Sequence, residues 1–227
     1  MRTRDVSKNS QNNTKRLCGG AVNFIDDILI FGKTKDEHDA RIKKVFQTLE
    51  DRGLVLNKDK CTFGVQEIKF MGFVLTGSGY CPLKSKVDAI KNFRAPSSAE
   101  EVRSFLGLVN FCAAFILDMA TISEPMRRPA KKNEKFIWRK DQDQSFNKPK
   151  SALTSKEVVG IYDPNAKTQV IADASPVGLG CVLTQLGSSG WKIIGYASKS
   201  LTDSEKKYSQ TEKEALALVY ACEGFHN

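Results

Sequence analysis

Residues Val22 to Phe31 read Val-Asn-Phe-Ile-Asp-Asp-Ile-Leu-Ile-Phe. Two short apolar runs, rich in β-branched and aromatic residues, flank the adjacent carboxylates Asp26 and Asp27. Each run has strand length and the acids supply a polar corner, so the stretch predicts a β-hairpin with two carboxylates at its tip. Asp is a common turn residue, and a hairpin corner accounts for the pair without any chemistry. The other reading is a site for a hard divalent cation. Such ions take carboxylate oxygens, and two-metal phosphoryl transfer sets several acids around ions roughly 4 Å apart. Two acids on one turn cannot hold two ions unaided, so partners must come from elsewhere.

The 227 residues suffice for one large or two small domains, and a hydrophobic content of 41% is that of a globular protein. No apolar run is long enough to span a bilayer, and the first twenty residues are polar and basic. The expected setting is therefore intracellular, in cytoplasm or nucleus. Six scattered cysteines, with no Cys-x-x-Cys pair and only His38 and His226 beside them, argue for reduced thiols and against a zinc site. A formal charge of +9 favours a polyanionic partner. Residues 1 to 21 set Arg2, Arg4, Lys8, Lys15 and Arg16 against a single Asp5, the composition of a disordered basic leader.

Beyond the hairpin, Thr34 to Glu37 reads as a capping box, Ile42, Val45, Phe46 and Leu49 as one helical face, and Gly53 as the stop. Ile68 to Leu75 and Tyr80 onward predict a second hairpin around Thr76-Gly77-Ser78-Gly79. Gly72 lies within its first strand, as a bulge or a point of close backbone approach. A helix over Lys84 to Phe93 stops before Pro96. Ser97 and Ser98, with Glu100 and Glu101, cap the next helix, whose core stripe is Val102, Phe105, Leu106, Val109, Cys112, Ala113 and Ile116.

Nine Lys or Arg residues from Arg127 to Lys150 form either a solvated linker or a strip that contacts phosphates. Pro149 is expected to break any helix there, at a cost of about 3 kcal/mol. From Thr168 the pattern becomes three strands, with Asp173 ending the first. A helix over Ser204 to Phe225 follows, with Ala215, Leu218, Val219 and Cys222 on one face. By residue type alone, Asp173 is an exposed strand-end acid and Glu214 a solvent-facing helix acid.

Phe24-Ile25-Asp26-Asp27 resembles the aromatic-X-Asp-Asp box of reverse transcriptases, in the form found in gypsy-type long-terminal-repeat retrotransposons. Its neighbours follow in that family's order: Arg52 to Asn57, Lys60-Cys61-Thr62-Phe63, Phe70-Met71-Gly72-Phe73, Arg103 to Leu108, Asp173-Ala174-Ser175 with Gly178-Leu179-Gly180, and Tyr208 to Leu216. The β-β-β-α order after Thr168 is similar to the opening half of ribonuclease H. The resemblance implies an internal fragment of a Pol polyprotein with an α+β fold. Residues 22–95 would be the C-terminal part of a polymerase palm, 96–155 a helical thumb with a basic connector, and 156–227 the first half of an RNase H-like mixed α/β domain.

The same resemblance implies magnesium in two sites. Asp26 and Asp27 would be catalytic metal ligands for the polymerase; Asp173 and Glu214, with Glu212 as the other register, would serve the nuclease. It implies nucleic-acid contacts through Phe24 and through Phe70, Met71, Gly72 and Phe73. The latter four match the box that grips the primer's sugar-phosphate backbone, with Met71 in place of Leu. RNA, DNA, RNA–DNA hybrid and the rest of the polyprotein are the implied partners.

The sequence departs from the family where fingers and a first palm Asp should precede residue 22. It departs again in Asn110 to Phe115, which lacks the family's basic residues, and before the third and fourth RNase H acids. An isolated chain is therefore expected to be inactive or nearly so. A catalytically dead basic module that binds nucleic acid, or the remnant of a decayed element, are the other readings.

Overall fold

The structure, a computed structural model, describes residues 19–24, 26–130, 136–153 and 158–226. Most of the expected leader, the lysines at 131, 132 and 135 and the expected boundary at 155/156 lie outside the described residues. The chain divides into two compact units, Met1–Met71 and Gly72–Asn227.

In the first unit, β1 (Ala21–Phe24) and β2 (Asp27–Ile30) pair antiparallel, and the register closes with Phe24 opposite Asp27. The hairpin is the one that the alternation of apolar runs and acids predicts. Helix α1 (Lys35–Asp51) starts at Thr34, whose hydroxyl accepts the Glu37 N–H. The Glu37 carboxylate takes the Lys33 N–H at 2.7 Å and pairs with Arg41. The expected box is therefore only half formed.

The helix closes through Gly53, at φ +67°, which lets the Leu54 N–H reach the Leu49 carbonyl at 2.9 Å. Ala21, Val45 and Leu49 form the core of this unit, with Ile28 and Ile30 against it. Phe46, expected on the core face, is exposed and meets Phe63 edge-on at 6.1 Å. A short strand, β3 (Glu67–Phe70), ends the unit.

The strand expected over Ile68 to Leu75 is broken at Met71 and Gly72. Both residues take left-handed backbone, at φ +51° and +82°. Two such residues in a row make a turn, so Gly72 is not a bulge within one strand. In the second unit, β4 (Phe73–Thr76) and β5 (Gly79–Pro82) form the expected hairpin, with Thr76 opposite Gly79.

Four helices follow: α2 (Lys84–Lys91), α3 (Ala99–Phe111), α4 (Met119–Arg127) and α5 (Lys140–Ala152). Ser98 caps α3, and Glu101 turns back to the N–H and hydroxyl of Ser97. The stripe of Val102, Phe105, Val109 and Cys112 is fully buried. Helix α3 stops at Phe111, however, and Ile116 joins the core only after a separate turn at Ala113–Phe115. Pro149 is buried inside α5 instead of ending it. It sits in the last turn, where its missing N–H forfeits only the bond to Ser145.

The sheet that follows is antiparallel, in the order β6 (Thr168–Ala174), β7 (Gly178–Gly187), β8 (Gly190–Ser200). Helix α6 (Gln210–Gly224) begins six residues later than expected. A tight turn at Glu205–Lys207 comes first, and Ser209 and Glu212 then form a complete capping box.

The buried face of α6 is Lys213, Ala217 and Ala221, whereas Ala215, Leu218, Val219 and Cys222 face outward. The larger apolar residues misdirected the expectation. Small alanines face the sheet because they let the helix backbone approach it closely. No described helix is long and apolar enough to cross a membrane.

Phe105 is fully enclosed between Phe93, at 5.3 Å, and Phe146, at 4.5 Å. Phe105→Ala is expected to cost about 3–5 kcal/mol in urea unfolding, because a rigid aromatic cage cannot collapse onto the void. A loss below 1 kcal/mol would contradict this packing.

Candidate functional site

Asp26 and Asp27 are both exposed at the tip of the β1–β2 hairpin, with Phe24 partly exposed beside them. Their carboxylates are open to an ion or a phosphate-bound metal. In the other box, Phe70 is half-buried and Met71 exposed. Phe73 stacks on Phe111 at 4.9 Å and meets Tyr80 edge-on at 5.9 Å. Its ring is therefore engaged in the core of the second unit, and a stacked base cannot reach both of its faces. Gly72 offers its backbone: its carbonyl accepts the Leu83 N–H, and a Cβ there would come within 2.6 Å of the Phe111 ring.

Around β6 the pleat decides which side chains meet. Ala172 and Ala174 pack with Leu216 and Ala217 of α6. Alternation turns exposed Asp173 to the opposite face of the strand. Its cross-strand partner is Gly180, and a Cβ on Gly180 would land on the carboxylate of Asp118. Asp118 thus fills the notch that glycine leaves, on the face that carries Asp173. It does so from left-handed backbone, at φ +52°, one residue before α4.

Three polar contacts hold α4 on the sheet and the segments that leave it. The Ala120 N–H donates to Ser198 Oγ at 3.1 Å, the hydroxyls of Thr121 and Ser175 lie 2.9 Å apart, and Lys206 pairs with Glu124 at 3.3 Å.

Glu214 comes to the same strand end from the other side. Gln210 Nε2 donates to the Ala174 carbonyl at 2.9 Å and to Glu214 Oε1 at 2.6 Å, so one amide ties the helix acid to the backbone beside Asp173. Asp173 and Glu214 therefore bracket the end of β6 rather than share one of its faces. Glu212, the other register, is committed to the Ser209 cap.

Sequence reasoning missed Asp118 and Gln210. Asp118 could not have been found from spacing, because only tertiary packing brings it to Gly180. Gln210, at i−4 from Glu214, was visible as a helix neighbour.

Magnesium tests against these donors in two ways. Carboxylate oxygens are of the right kind for a hard divalent ion. In number they fall short: among the described residues, no group of three or more His, Cys, Asp or Glu side chains is placed to hold a metal. The described residues do not by themselves form a metal centre.

Burial, and then the negative charge of Asp173, raise the carboxyl of Asp118 above its ordinary value. Asp118 thus holds its proton more tightly in the fold than in the unfolded chain. Its contribution to stability is present in acid and is lost as pH rises through its folded-state titration. Asp118→Asn is isosteric and equally tolerant of left-handed backbone. The variant is expected to match the parent in mild acid and to unfold at higher urea at neutral pH. Equal midpoints at both pH values would contradict the crowding of the two acids.

Comparison with known proteins bears on both halves of the chain. Residues 8–75 match the family described as reverse transcriptase (RNA-dependent DNA polymerase), and residues 138–227 match the RNase H-like domain found in reverse transcriptase. The Transposon Tf2-3 polyprotein of Schizosaccharomyces pombe is 32% identical over 199 residues, covering 87% of this chain and 15% of its own length. The Tf2-7 polyprotein of the same yeast is 31% identical over the same span.

Among solved structures, a foamy viral protease-reverse transcriptase in complex with dsDNA aligns at a TM-score of 0.78 and 26% identity, over 96% of this chain and 46% of that one. The same type of protein in complex with RNA/DNA hybrid aligns at a TM-score of 0.75 and 26% identity, over 90% of this chain and 28% of that one. The chain spans about 15% of the length of the transposon polyproteins it matches, and joins a palm and thumb segment of reverse transcriptase type to a segment of RNase H-like fold.

Proposed function

We propose that the chain is part of a gypsy-type retrotransposon polyprotein that copies RNA into DNA and cuts the RNA of the resulting hybrid. The observation that carries this reading is one chain order: an exposed Asp-Asp hairpin tip, then a three-stranded sheet in which Gln210 ties a helix acid, Glu214, to the Ala174 carbonyl beside Asp173. Residues 22–95 then serve as palm, 96–155 as thumb and connector, and 156–227 as the RNase H-like part. Asp26 and Asp27 supply carboxylates to a polymerase magnesium site, and Asp173 and Glu214 to a nuclease one, with further ligands required in each. Phe24 and the Phe70 to Phe73 turn lie along the nucleic acid, where backbone contact positions a duplex without reading its sequence. RNA, DNA and their hybrid are the partners, as the net charge of +9 favours. The free thiols of Cys61, Cys81, Cys112, Cys181 and Cys222 suit an intracellular setting.

A binding module without catalysis is favoured for the chain in isolation, because neither acid pair is completed among the described residues. The isolated chain is expected to bind RNA–DNA hybrid in a salt-dependent way, and Asp26→Asn or Asp173→Asn should leave that binding unchanged. Primer extension and hybrid cleavage should stay at background with magnesium. Magnesium-dependent extension or cleavage that either substitution abolishes would overturn the inactivity. Failure to bind any nucleic acid would overturn the reading itself.

A further inference from the structure

We infer that Lys213 is a phosphate-anchoring residue beside Glu214, positioned to hold one backbone phosphodiester of a nucleic acid against the end of β6. Lysine is almost never this enclosed unless it is paired. Lys213 is only 7% exposed, yet it makes no side-chain hydrogen bond and no ion pair with any described residue. Its Nζ is not among the enclosed atoms that lack a partner, so the ammonium reaches solvent while its stem is covered.

A stem held in this way loses little freedom on binding, and the charge it presents has no counter-ion among the described residues. The nearby carboxylates are already engaged. Glu214 accepts from Gln210, and Glu212 caps α6. Lys213 follows Gln210 by three residues, on the helix face turned toward the sheet, one turn from the amide that meets the Ala174 carbonyl. A bare cation anchored beside the helix acid Glu214 has the chemistry to bind an oxyanion. It would carry the backbone charge that Asp173 and Glu214 alone would repel.

The inference rests on the reading that this chain handles nucleic acid, and one experiment separates the two. Binding of a labelled RNA–DNA hybrid is measured by anisotropy over a range of salt, for the parent, Lys213→Met, Lys213→Arg and the distant control Lys167→Met. Methionine keeps the apolar stem and removes the charge, and an unchanged urea midpoint shows that packing is intact.

Each phosphate contact contributes about 0.9 to the slope of log affinity against log salt. Lys213→Met should lower that slope by about one, and weaken binding about threefold more at the low-salt than at the high-salt end of a fourfold range. Lys213→Arg should restore it, and Lys167→Met should change it less. Equal slopes for the parent and Lys213→Met would overturn the assignment while leaving hybrid binding standing. Absence of parent binding would overturn the nucleic-acid reading and this inference with it.

Discussion

The close approach of α6 to β6 is the contact on which the candidate nuclease geometry depends. Ala217 faces Ala172 and Ala174 with no bulk between them, and this closeness lets Gln210 span from the Ala174 carbonyl to the Glu214 carboxylate. A larger residue at position 217 would push the helix off the strand, and the amide could no longer meet both oxygens. The position of the helix acid is thus set by the smallest side chains in its neighbourhood, and a single amide fixes its direction.

On the opposite face of the same strand the controlling element is another absence of bulk. Gly180 leaves a notch that Asp118 fills, and the Ser198, Thr121 and Lys206 contacts hold α4 across it. Helical and sheet parts of the second unit are therefore joined at the residue that pairs with Asp173. Burial first, and then the neighbouring charge of Asp173, raise the Asp118 carboxyl, so bringing the two carboxylates together carries an energetic cost. Local destabilisation of this kind is common where charge is gathered for a ligand. It also means that the surroundings of Asp173 include a residue that lies outside both matched family segments.

Local pattern was enough for the hairpins, the capped helices and the three-stranded sheet, because strand alternation and caps are written in neighbouring residues. It failed where tertiary context governs. The apolar stripe of α6 pointed outward, since alanines rather than leucines met the sheet. The stripe of α3 ran on past Phe111 into a separate turn, because periodicity does not register where a helix stops. Pro149 stayed inside α5, where its ring is fully buried in the packing of the second unit, a tertiary gain that local sequence does not register. Asp26 and Asp27 stood out by residue type as an alternative to a plain turn, whereas Asp173 and Glu214 were legible as candidates only through the family's motif order. Asp118 was not legible at all, because its proximity to Asp173 arises from a chain separation of more than fifty residues.

The central proposal is that the strand-end acid and the helix acid serve one ion at the end of β6. Manganese titrated into the isotopically labelled chain, read by paramagnetic broadening of amide signals, tests it directly. The account predicts that signals from Asp173 to Ser175 and from Gln210 to Glu214 broaden together at the same manganese concentrations. Broadening of the strand without the helix, or of neither while other acids respond, would contradict it.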